Sequence, residues 1–279
     1  LILIILLIFL TLSYIIAIIK QIIKTRKALC MKKPIIISII NQKGGVGKTS
    51  TTIELSYLFG KEFKVLAIDF DPQASLSKYT GMDISNHLTI KEVLEANKLI
   101  EETVVHVNGF DAIPCSKDLA KAPKLFGDPN DIFLLKDIFE EDGKEFISQY
   151  DFVFIDNAPG RSPLLYMAYI ASDFIIAPTE CDTASLDGLI ELYTDVQLFK
   201  KRNQTNVRFL GSLLTKYERT SEHQNALEDM HDIGLNIGCM PFRTPIRKSI
   251  VSTSAKNAKM SVSAYKKYNN ISRDYENIK

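Results

Sequence analysis

The sequence predicts an α/β fold in which a mostly parallel, twisted sheet carries helices on both faces, giving three layers. Two observations lead to this prediction. Short apolar runs rich in β-branched residues recur along the chain, as in "PIIISII" at 34–40, and such runs are typical of parallel strands buried on both faces. Stretches with helical spacing separate these runs, and alternation of strand and helix favours a parallel sheet.

The predicted elements follow one another from residue 34 onward. Apolar runs predict strands at 34–40, 64–71, 151–159, 173–179 and 207–215, with a weaker strand at 235–241. Helical spacing predicts helices at 48–60, 131–149, 162–171, 184–202 and 221–232. Since no internal repeat, low-complexity linker or boundary interrupts this order, residues 31–279 are predicted to form one domain.

The composition is that of a globular protein with free thiols. The chain has 279 residues, of which 46% are hydrophobic and 24% charged, so it is long enough to bury a sizeable core without covalent staples. Its four cysteines, Cys30, Cys115, Cys181 and Cys239, form no C-x-x-C pair. This pattern argues against a zinc site or a disulfide framework and indicates a reducing compartment.

Charge is distributed unevenly along the chain. Residues 1–33 hold six basic and no acidic side chains, so 28 of the 34 basic residues remain to face 33 acidic ones. Residues 241–279 nevertheless carry nine basic and two acidic groups. A surface for a polyanion such as nucleic acid is therefore expected near the C-terminus, because the rest of the domain would repel it.

Residues 1–30 are predicted to be an apolar extension separate from the domain. The run at 1–19, "LILIILLIFLTLSYIIAII", would be about 28 Å long as a helix, close to the ~30 Å hydrocarbon core of a bilayer. One interpretation is a membrane anchor followed by basic residues on the cytoplasmic side. The other is an upstream segment outside the working protein, because the first methionine is Met31.

The stretch "IINQKGGVGKTS" at 39–50 is typical of a phosphate-binding loop, with two departures. The common form, G-x-x-x-x-G-K-[ST], has a glycine where this chain has Gln42, and Lys43 is an additional cation. The glycines let backbone N–H groups converge on one anion at a helix N-terminus. Lys48 would reach the β- and γ-phosphates, and the Thr49 hydroxyl would bind Mg²⁺. The expected nucleotide-binding residues are Gly44, Gly45, Val46, Gly47, Lys48, Thr49 and Ser50.

The spacing K-G-G-x-G-K-T resembles the deviant Walker A motif of the ParA/MinD family of P-loop ATPases. The resemblance implies the P-loop NTPase fold, ATP and Mg²⁺ as ligands, and a homodimer that sandwiches two nucleotides. It also implies that Lys43 reaches the phosphates bound by the partner subunit. There a cation would offset the charge on the γ-phosphoryl oxygens in the transition state, and arginine fingers in the same role are worth about 10³–10⁵ in rate.

Two further motifs extend the resemblance. The D-x-D-P-Q of "VLAIDFDPQASLS" at 65–77 is similar to the ParA/Soj partition branch, and it implies that Asp71 positions the attacking water while Asp69 supports the metal. "YDFVFIDNAPGRSP" at 150–163 resembles the Walker B strand, with Asp156 holding a magnesium-bound water. The implied catalytic residues are Lys43, Lys48 and Asp71, and the implied metal residues are Thr49, Asp69 and Asp156.

The likeness covers nearly all of 34–279, with one departure after the Walker B aspartate. Family members carry Thr or Cys and two prolines there, whereas this chain has Asn157-Ala158-Pro159-Gly160. The switch, which is the segment that follows the Walker B strand, is therefore expected to move differently. The resemblance implies adenine contacts at Thr215, Lys216 and Pro241. The basic C-terminal region suggests that non-specific DNA contacts come from Arg243, Arg247 and Lys248, with steep salt dependence.

The leading functional hypothesis is a Mg²⁺-dependent ATPase that partitions plasmid or chromosomal DNA. The family implies that ATP favours the dimer, that the dimer binds DNA on the nucleoid in the cytoplasm, and that a ParB-type partner stimulates hydrolysis. The alternative is a MinD-like membrane-positioning ATPase, which residues 1–19 favour and D-P-Q disfavours. An iron–sulfur reductase is disfavoured because no cysteine follows Asp156 within the switch, and a regulatory module without hydrolysis stays open.

Overall fold

Seven strands form one sheet in the computed structural model, which describes residues 33–279. They are β1 Ile35–Ile39, β2 Val65–Phe70, β3 Val105–Val107, β4 Phe110–Ile113, β5 Phe152–Asn157, β6 Phe174–Thr179 and β7 Arg208–Leu214. Their order across the sheet is β3-β4-β2-β5-β1-β6-β7, and every neighbouring pair is parallel except β3 with β4. The predicted mostly parallel sheet is confirmed, whereas the predicted extension 1–30 lies outside the described residues.

Twelve α-helices accompany the sheet within residues 33–279. They are α1 Lys48–Gly60, α2 Ser75–Thr80, α3 Ile90–Leu94, α4 Ala122–Leu125, α5 Leu134–Asp137, α6 Lys144–Ile147, α7 Pro163–Ala171, α8 Thr183–Lys201, α9 Ser221–Ile237, α10 Ile250–Asn257, α11 Val262–Tyr265 and α12 Asn270–Glu276. Short 3₁₀ turns lie at Ile100–Thr103, Lys117–Lys121 and Asp131–Phe133, and a π-helical turn lies at Ile138–Asp142. Among these residues no helix combines the length and apolarity needed to cross a membrane.

Apolar cores on both faces of the sheet produce the three layers. Successive residues of a strand point to opposite faces, so Val153 of β5 packs in one core with α7, and Phe152 packs in the other with α1. Phe59 of α1 meets the Phe152 ring edge to face at 4.7 Å between centroids. Burial of a side chain of this size contributes about 1.5–3 kcal/mol, so the continuous apolar runs fix which segments enter the sheet.

The prediction of a strand at 235–241 is wrong. Helix α9 continues to Ile237, and Gly238 ends it in the left-handed conformation with φ of +67°, which glycine adopts without steric cost. Beyond it, Pro241 forms an isolated bridge to Ser212 of β7 and belongs to no strand among residues 33–279. The apolar residues of this segment suggested a buried strand, but they do not form one buried row. The side chain of Leu235 is 64% exposed.

Two other segments differ from the predictions. The helix predicted at 131–149 is instead divided into short helical segments. Its π-helical turn ends at Gly143, where the Cβ of any other residue would lie 2.9 Å from the Ile138 carbonyl oxygen. The β3–β4 hairpin was not predicted, although Asn108 and Gly109 both have positive φ at its turn. An Asn-Gly pair between short apolar segments is the characteristic signal of such a turn, and it was available in the sequence.

Candidate functional site

The carboxyl ends of β1, β2 and β5 bring the three predicted motifs together. In the parallel register Asp69 of β2 lies beside Asp156 of β5, and Ile39 at the end of β1 lies on the other side of Asp156. The phosphate-binding loop follows β1 directly. Ligands of open α/β sheets bind at this edge, so the sheet topology places the loop and the acidic residues in one cleft.

The loop has the backbone geometry of an anion cradle. Gly45 and Gly47 have φ of +82° and +93°, a conformation that side chains rarely tolerate. Gly47 is the residue before α1 and has no side chain to cap the helix, so the first N–H groups of α1 stay available for an anion, where the helix dipole is positive. Val46 is buried beneath the loop, while Thr49 and Ser50 are half-buried at its end.

Lys48 is buried inside the loop. Its Nζ donates hydrogen bonds to the carbonyl oxygens of Asn41 at 3.0 Å and Lys43 at 2.8 Å. Burial lowers the pKa of Lys48, and the charges of Asp156 and Asp71 oppose that shift. Because the two oxygens that accept these bonds are uncharged carbonyl oxygens, the position of Lys48 suits the phosphate-binding role predicted from the sequence.

Asp156 has the environment expected of a Mg²⁺ site. It is fully buried, and among residues 33–279 its Oδ2 atom has no hydrogen-bond partner. Burial and the neighbouring Asp69 raise the pKa of Asp156, and a hydrogen bond with Thr49 acts in the opposite direction. No group of three or more His, Cys, Asp or Glu residues in the described part of the chain could enclose a metal. Mg²⁺ requires no such enclosure, because it uses one or two carboxylates with water and substrate phosphates.

Asp69 is engaged with the loop that follows β2. Its Oδ2 accepts hydrogen bonds from the Ser77 backbone at 2.8 Å and from the Ser77 hydroxyl at 2.6 Å. Burial raises the pKa of Asp69 to about 6, against the effect of these hydrogen bonds. Asp71 is 9% exposed, and its Oδ1 accepts a bond from the Gln73 N–H at 2.8 Å. Asp69 is therefore placed to order the loop that presents Asp71.

Lys43 forms ion pairs within its own chain. Its Nζ lies 2.6 Å from Asp182 Oδ2 and 3.9 Å from Glu180 Oε2, and Lys216 Nζ lies 2.6 Å from Glu180 Oε1. Asp182 is also the N-cap of α8, where it accepts a bond from the Ser185 N–H at 3.0 Å. The additional lysine of the motif is thus held by two acids just after β6, and these acids were not among the predicted site residues.

Gln42, the residue in place of the usual glycine, is linked to the segment after β5. Its Nε2 donates to Asp195 Oδ2 at 3.0 Å, and its carbonyl accepts the Gly160 N–H at 3.0 Å. Arg161 binds the same Asp195 carboxylate with its Nε at 2.8 Å and its Nη2 at 3.0 Å. Sequence reasoning missed this cluster, because nothing in the local pattern joins residues 42, 161 and 195.

The three predicted adenine contacts occupy different environments. Thr215 is buried, and its hydroxyl donates to the Val46 carbonyl at 2.8 Å, so it supports the loop from below. Lys216 has φ of +53° and points its Nζ to Glu180. Pro241 lies beside Ser212 of β7, near the same edge of the sheet. Thr215 thus contacts the phosphate-binding loop directly, whereas the described contacts of Lys216 and Pro241 are with Glu180 and Ser212.

The predicted DNA-binding residues are all exposed, but they are not equivalent. Arg247 makes a two-pronged ion pair with the buried carboxylate of Asp274, at 2.8 and 2.7 Å. Lys248 Nζ lies 3.1 Å from Glu218 on the surface. Arg243 lies on the loop after β7 and α9. The guanidinium of Arg247 is therefore engaged in holding α12, whereas the described pair of Lys248 with Glu218 is exposed to solvent.

Comparisons with known proteins agree with this geometry. The family model described as an AAA domain matches residues 34–209. The chromosome-partitioning ATPase Soj of Treponema pallidum is 31% identical over 245 residues, covering 86% of this chain and 93% of that protein. A plasmid partition protein from Borrelia burgdorferi, solved with bound AMPPNP, superimposes with a TM-score of 0.71 at 27% identity, covering 88% of this chain and 96% of the other.

The Cyanothece protein McdA shares the fold at lower identity. It has a TM-score of 0.78 and 22% identity, and it covers 88% of this chain and 97% of its own. The AAA domain match spans more than half of the present chain, and the Soj relative is matched over nearly its whole length. The chain therefore belongs to the AAA domain family and, among P-loop proteins, to the ParA/Soj-type ATPases.

Proposed function

We propose that residues 31–279 form a Mg²⁺-dependent ATPase domain that dimerises around ATP, binds DNA without sequence preference and partitions plasmid or chromosomal DNA on the nucleoid. A ParB-type centromere-binding partner would stimulate hydrolysis. The observation that carries the proposal is the position of Lys43. It lies at the rim of a complete phosphate-binding loop, where its ammonium makes ion pairs that solvent can reach, so it can be released toward a second subunit.

The residues of one subunit account for binding. The N–H groups from Gly44 to Thr49 and the Lys48 ammonium would hold the β- and γ-phosphates. Thr49 and Asp156 would hold Mg²⁺, which supplies charge neutralisation between the phosphate oxygens. Supporting this assignment, Asp156 has a buried oxygen without a hydrogen-bond partner among residues 33–279, and the Thr49 side chain is close enough to lower the pKa of this carboxyl. Asp71, which Asp69 and its loop keep in place, would orient the attacking water.

Hydrolysis would require the second subunit. Lys48 lies within the loop, so its buried ammonium is the cation that a subunit would supply to its own phosphates. The partner's Lys43 would supply the other by leaving Asp182 and approaching the γ-phosphate. A cation delivered in this way stabilises the transition state, in which negative charge spreads over the equatorial oxygens. Turnover would thus depend on dimer formation.

Size-exclusion chromatography of the full chain with ATP and Mg²⁺, with and without DNA, tests the proposal. We expect a monomer without nucleotide, a dimer with ATP, and co-elution with DNA only in the presence of ATP. Lys43→Ala should retain ATP binding but lose turnover by at least about a hundredfold, by comparison with other trans-acting cations. Unchanged phosphate release by that variant would contradict the mechanism, and a wild-type chain that binds no ATP would contradict the function.

A further inference from the structure

The turn between α11 and α12 presents two tyrosines and two lysines to solvent. It has the sequence Tyr265-Lys266-Lys267-Tyr268, and all four residues are exposed, Tyr268 by 75% and Tyr265 by 44%. Within residues 33–279 no other tyrosine and no phenylalanine is exposed. Because aromatic rings are usually buried in a core or at an interface, their concentration in one turn indicates a binding surface.

Both ends of the turn are fixed to the domain. Asn269 is buried, its Oδ1 accepts the Ser272 N–H at 3.1 Å at the start of α12, and its Nδ2 donates to the Lys266 carbonyl. At the other end, Glu54 of α1 accepts the Ser263 N–H at 3.2 Å at the start of α11. The exposed rings therefore lie on an ordered turn, and a surface that is already ordered loses less entropy when it binds a ligand.

Tyr268 has a backbone conformation that is rare for a bulky residue. Its φ is +68°, in the left-handed region where a large side chain is seldom found, and strain of this kind is concentrated at ligand sites. The Nζ of Lys267 lies 5.2 Å from the centroid of the Tyr268 ring, as in a cation–π contact. A ring has two faces, so an ammonium over one face leaves the other available for a flat ligand.

The charge around the turn suits an anionic ligand. No acidic residue occurs from 250 to 273 in the sequence, and the next acid, Asp274, is buried and holds Arg247. Exposed rings beside ammonium groups are the chemistry that binds unstacked bases and their phosphates. Binding to a membrane surface would require a wider apolar face, and residues 265–269 include no aliphatic or phenylalanine side chain.

We propose that the turn at 265–268 is a binding site for single-stranded nucleic acid, in which an unstacked base packs on the Tyr268 ring and the two lysines hold the flanking phosphates. A duplex does not fit the rings in this way, because its base faces are covered by neighbouring bases. The site is therefore separate from the duplex contacts proposed above, and it does not require a nucleotide in the loop at 44–49. Single strands of DNA and RNA offer the same bases and phosphates.

Fluorescence of the full chain without ATP provides the test. The chain contains no tryptophan, so Tyr268→Trp adds a single indole, and we expect oligo-dT or oligo-U of about 16 nucleotides to quench its emission. This variant keeps an aromatic ring and should bind within about threefold of wild type. Tyr268→Leu lacks the ring and should lose roughly tenfold in affinity by fluorescence anisotropy, as for loss of one stacked base.

Tyr193 provides matched controls, because its ring is half-buried on α8 beside Phe209. Neither oligonucleotide should quench Tyr193→Trp, and Tyr193→Leu should bind as wild type. The lysines are tested through salt dependence. Lys266→Met should lower the slope of log K against log salt concentration by about 0.7, the value for one phosphate of a single strand, whereas Tyr268→Leu should keep the wild-type slope.

A duplex of the same length should bind Tyr268→Leu within about threefold of wild type. The proposal is overturned if Tyr268→Leu binds single strands as tightly as wild type, if its duplex affinity falls equally, if neither strand quenches Tyr268→Trp, or if Lys266→Met keeps the wild-type slope. A change in Tyr268→Trp emission with vesicles of phosphatidylcholine and phosphatidylserine, but with neither oligonucleotide, would assign the turn to a membrane surface and also overturn it. A wild-type chain that binds no ATP would contradict the proposed function and leave this inference standing.

Discussion

At the scale of single residues, the positions of the charged groups decide what each can do. Lys43 and Lys48 are five residues apart in one loop, yet one is buried among carbonyl groups and the other is paired with acids at the rim. The buried lysine is fixed for binding within the subunit. The rim lysine is held by a pair that solvent reaches, and pairs of this kind are weak enough to exchange.

Replacing Asp182 by Asn should therefore favour the ATP-dependent dimer. Asn retains the N-cap of α8, while the ion pair that holds Lys43 is lost. A pair with this exposure is worth about 0.2–1 kcal/mol, so the dimer dissociation constant should fall by roughly twofold to fivefold. Sedimentation analysis with AMPPNP measures it. Asp187→Asn, on the exposed face of the same helix, is the control, and equal constants for the two variants would refute the idea.

At the scale of elements, α1 connects the phosphate-binding loop to the C-terminal helices. Glu54 of α1 is 1% exposed, and it accepts hydrogen bonds from the backbone N–H groups of Val262 and of Ser263, the latter at 3.2 Å. Thr51 and Tyr275 bring their hydroxyls within 3.2 Å on the same helix face. The loop and the basic C-terminal region are thus packed on one helix.

Glu54 should make the stability of the protein fall as pH rises. Burial raises the pKa of Glu54 from 4.5 to about 7, so the folded state binds the proton more tightly than the unfolded state. The contribution of Glu54 to the free energy of unfolding is then greatest below about pH 4.5 and should fall by up to about 3 kcal/mol as pH rises to about 7. Urea unfolding at pH 5 and pH 7.5 measures the difference.

Glu54→Gln removes this ionisable group. Its free energy of unfolding should therefore fall with pH by about 3 kcal/mol less than that of wild type. Asp69 and Asp156, whose pKa values are also raised by burial, contribute in the same direction, so the comparison with wild type isolates Glu54. Glu276→Gln, an exposed acid on α12, serves as the control. A Glu54→Gln variant with the full wild-type slope would show that Glu54 is ionised in the folded protein across this range.

The segment after β5 is the second connected element. Asp195 of α8 binds both Gln42 of the loop and Arg161 of that segment. Arg161→Gln removes the two-pronged bond, so backbone amides at 158–162 should lose protection from hydrogen exchange by about threefold to tenfold, as for the loss of about 1 kcal/mol. Arg202→Gln at the end of α8 should leave these amides unchanged, and equal protection in both variants would contradict the coupling.

At the scale of the whole molecule, a domain with excess acidic charge carries a basic C-terminal region. That region packs on α1 and α2 through Glu54, Tyr275 and Lys256. If this region binds DNA as proposed, its packing on α1, the helix that follows the phosphate-binding loop, would give a physical basis for coupling between ATP binding and DNA binding.

DNA affinity should accordingly depend steeply on salt, and Lys248 should contribute to that dependence. Removing one phosphate contact lowers the slope of log K against log salt concentration by about 1. We expect this for Lys248→Ala, measured by fluorescence anisotropy with AMPPNP over a range of salt. Lys98→Ala, a distant exposed lysine paired with Glu102, should keep the wild-type slope. A Lys248→Ala slope equal to wild type would remove this residue from the DNA surface.

Much of the fold and part of the site could be predicted from local patterns. The predictions of a strand at 34–40 and a helix at 48–60 were correct. The continuous apolar run and the glycine loop that indicate them lie within a few residues of each other. The prediction of a strand at 235–241 was wrong, because an apolar pattern does not show whether its side chains are buried. The hairpin at 105–113 was missed, although its Asn108-Gly109 turn is visible in the sequence.

By itself the sequence determined the parallel α/β class, the phosphate-binding loop, and the acids at the strand ends, because these depend on contiguous residues and on the rule that parallel strands end at one edge. Only the tertiary structure decided that Asp182 holds Lys43, that Asp195 joins Gln42 to Arg161, and that Asp274 engages Arg247. Those partners lie 139, 153, 34 and 27 residues apart. Charge alone cannot select them, since the chain contains 34 bases and 33 acids, and only the packing of helices against the sheet determines which of them meet.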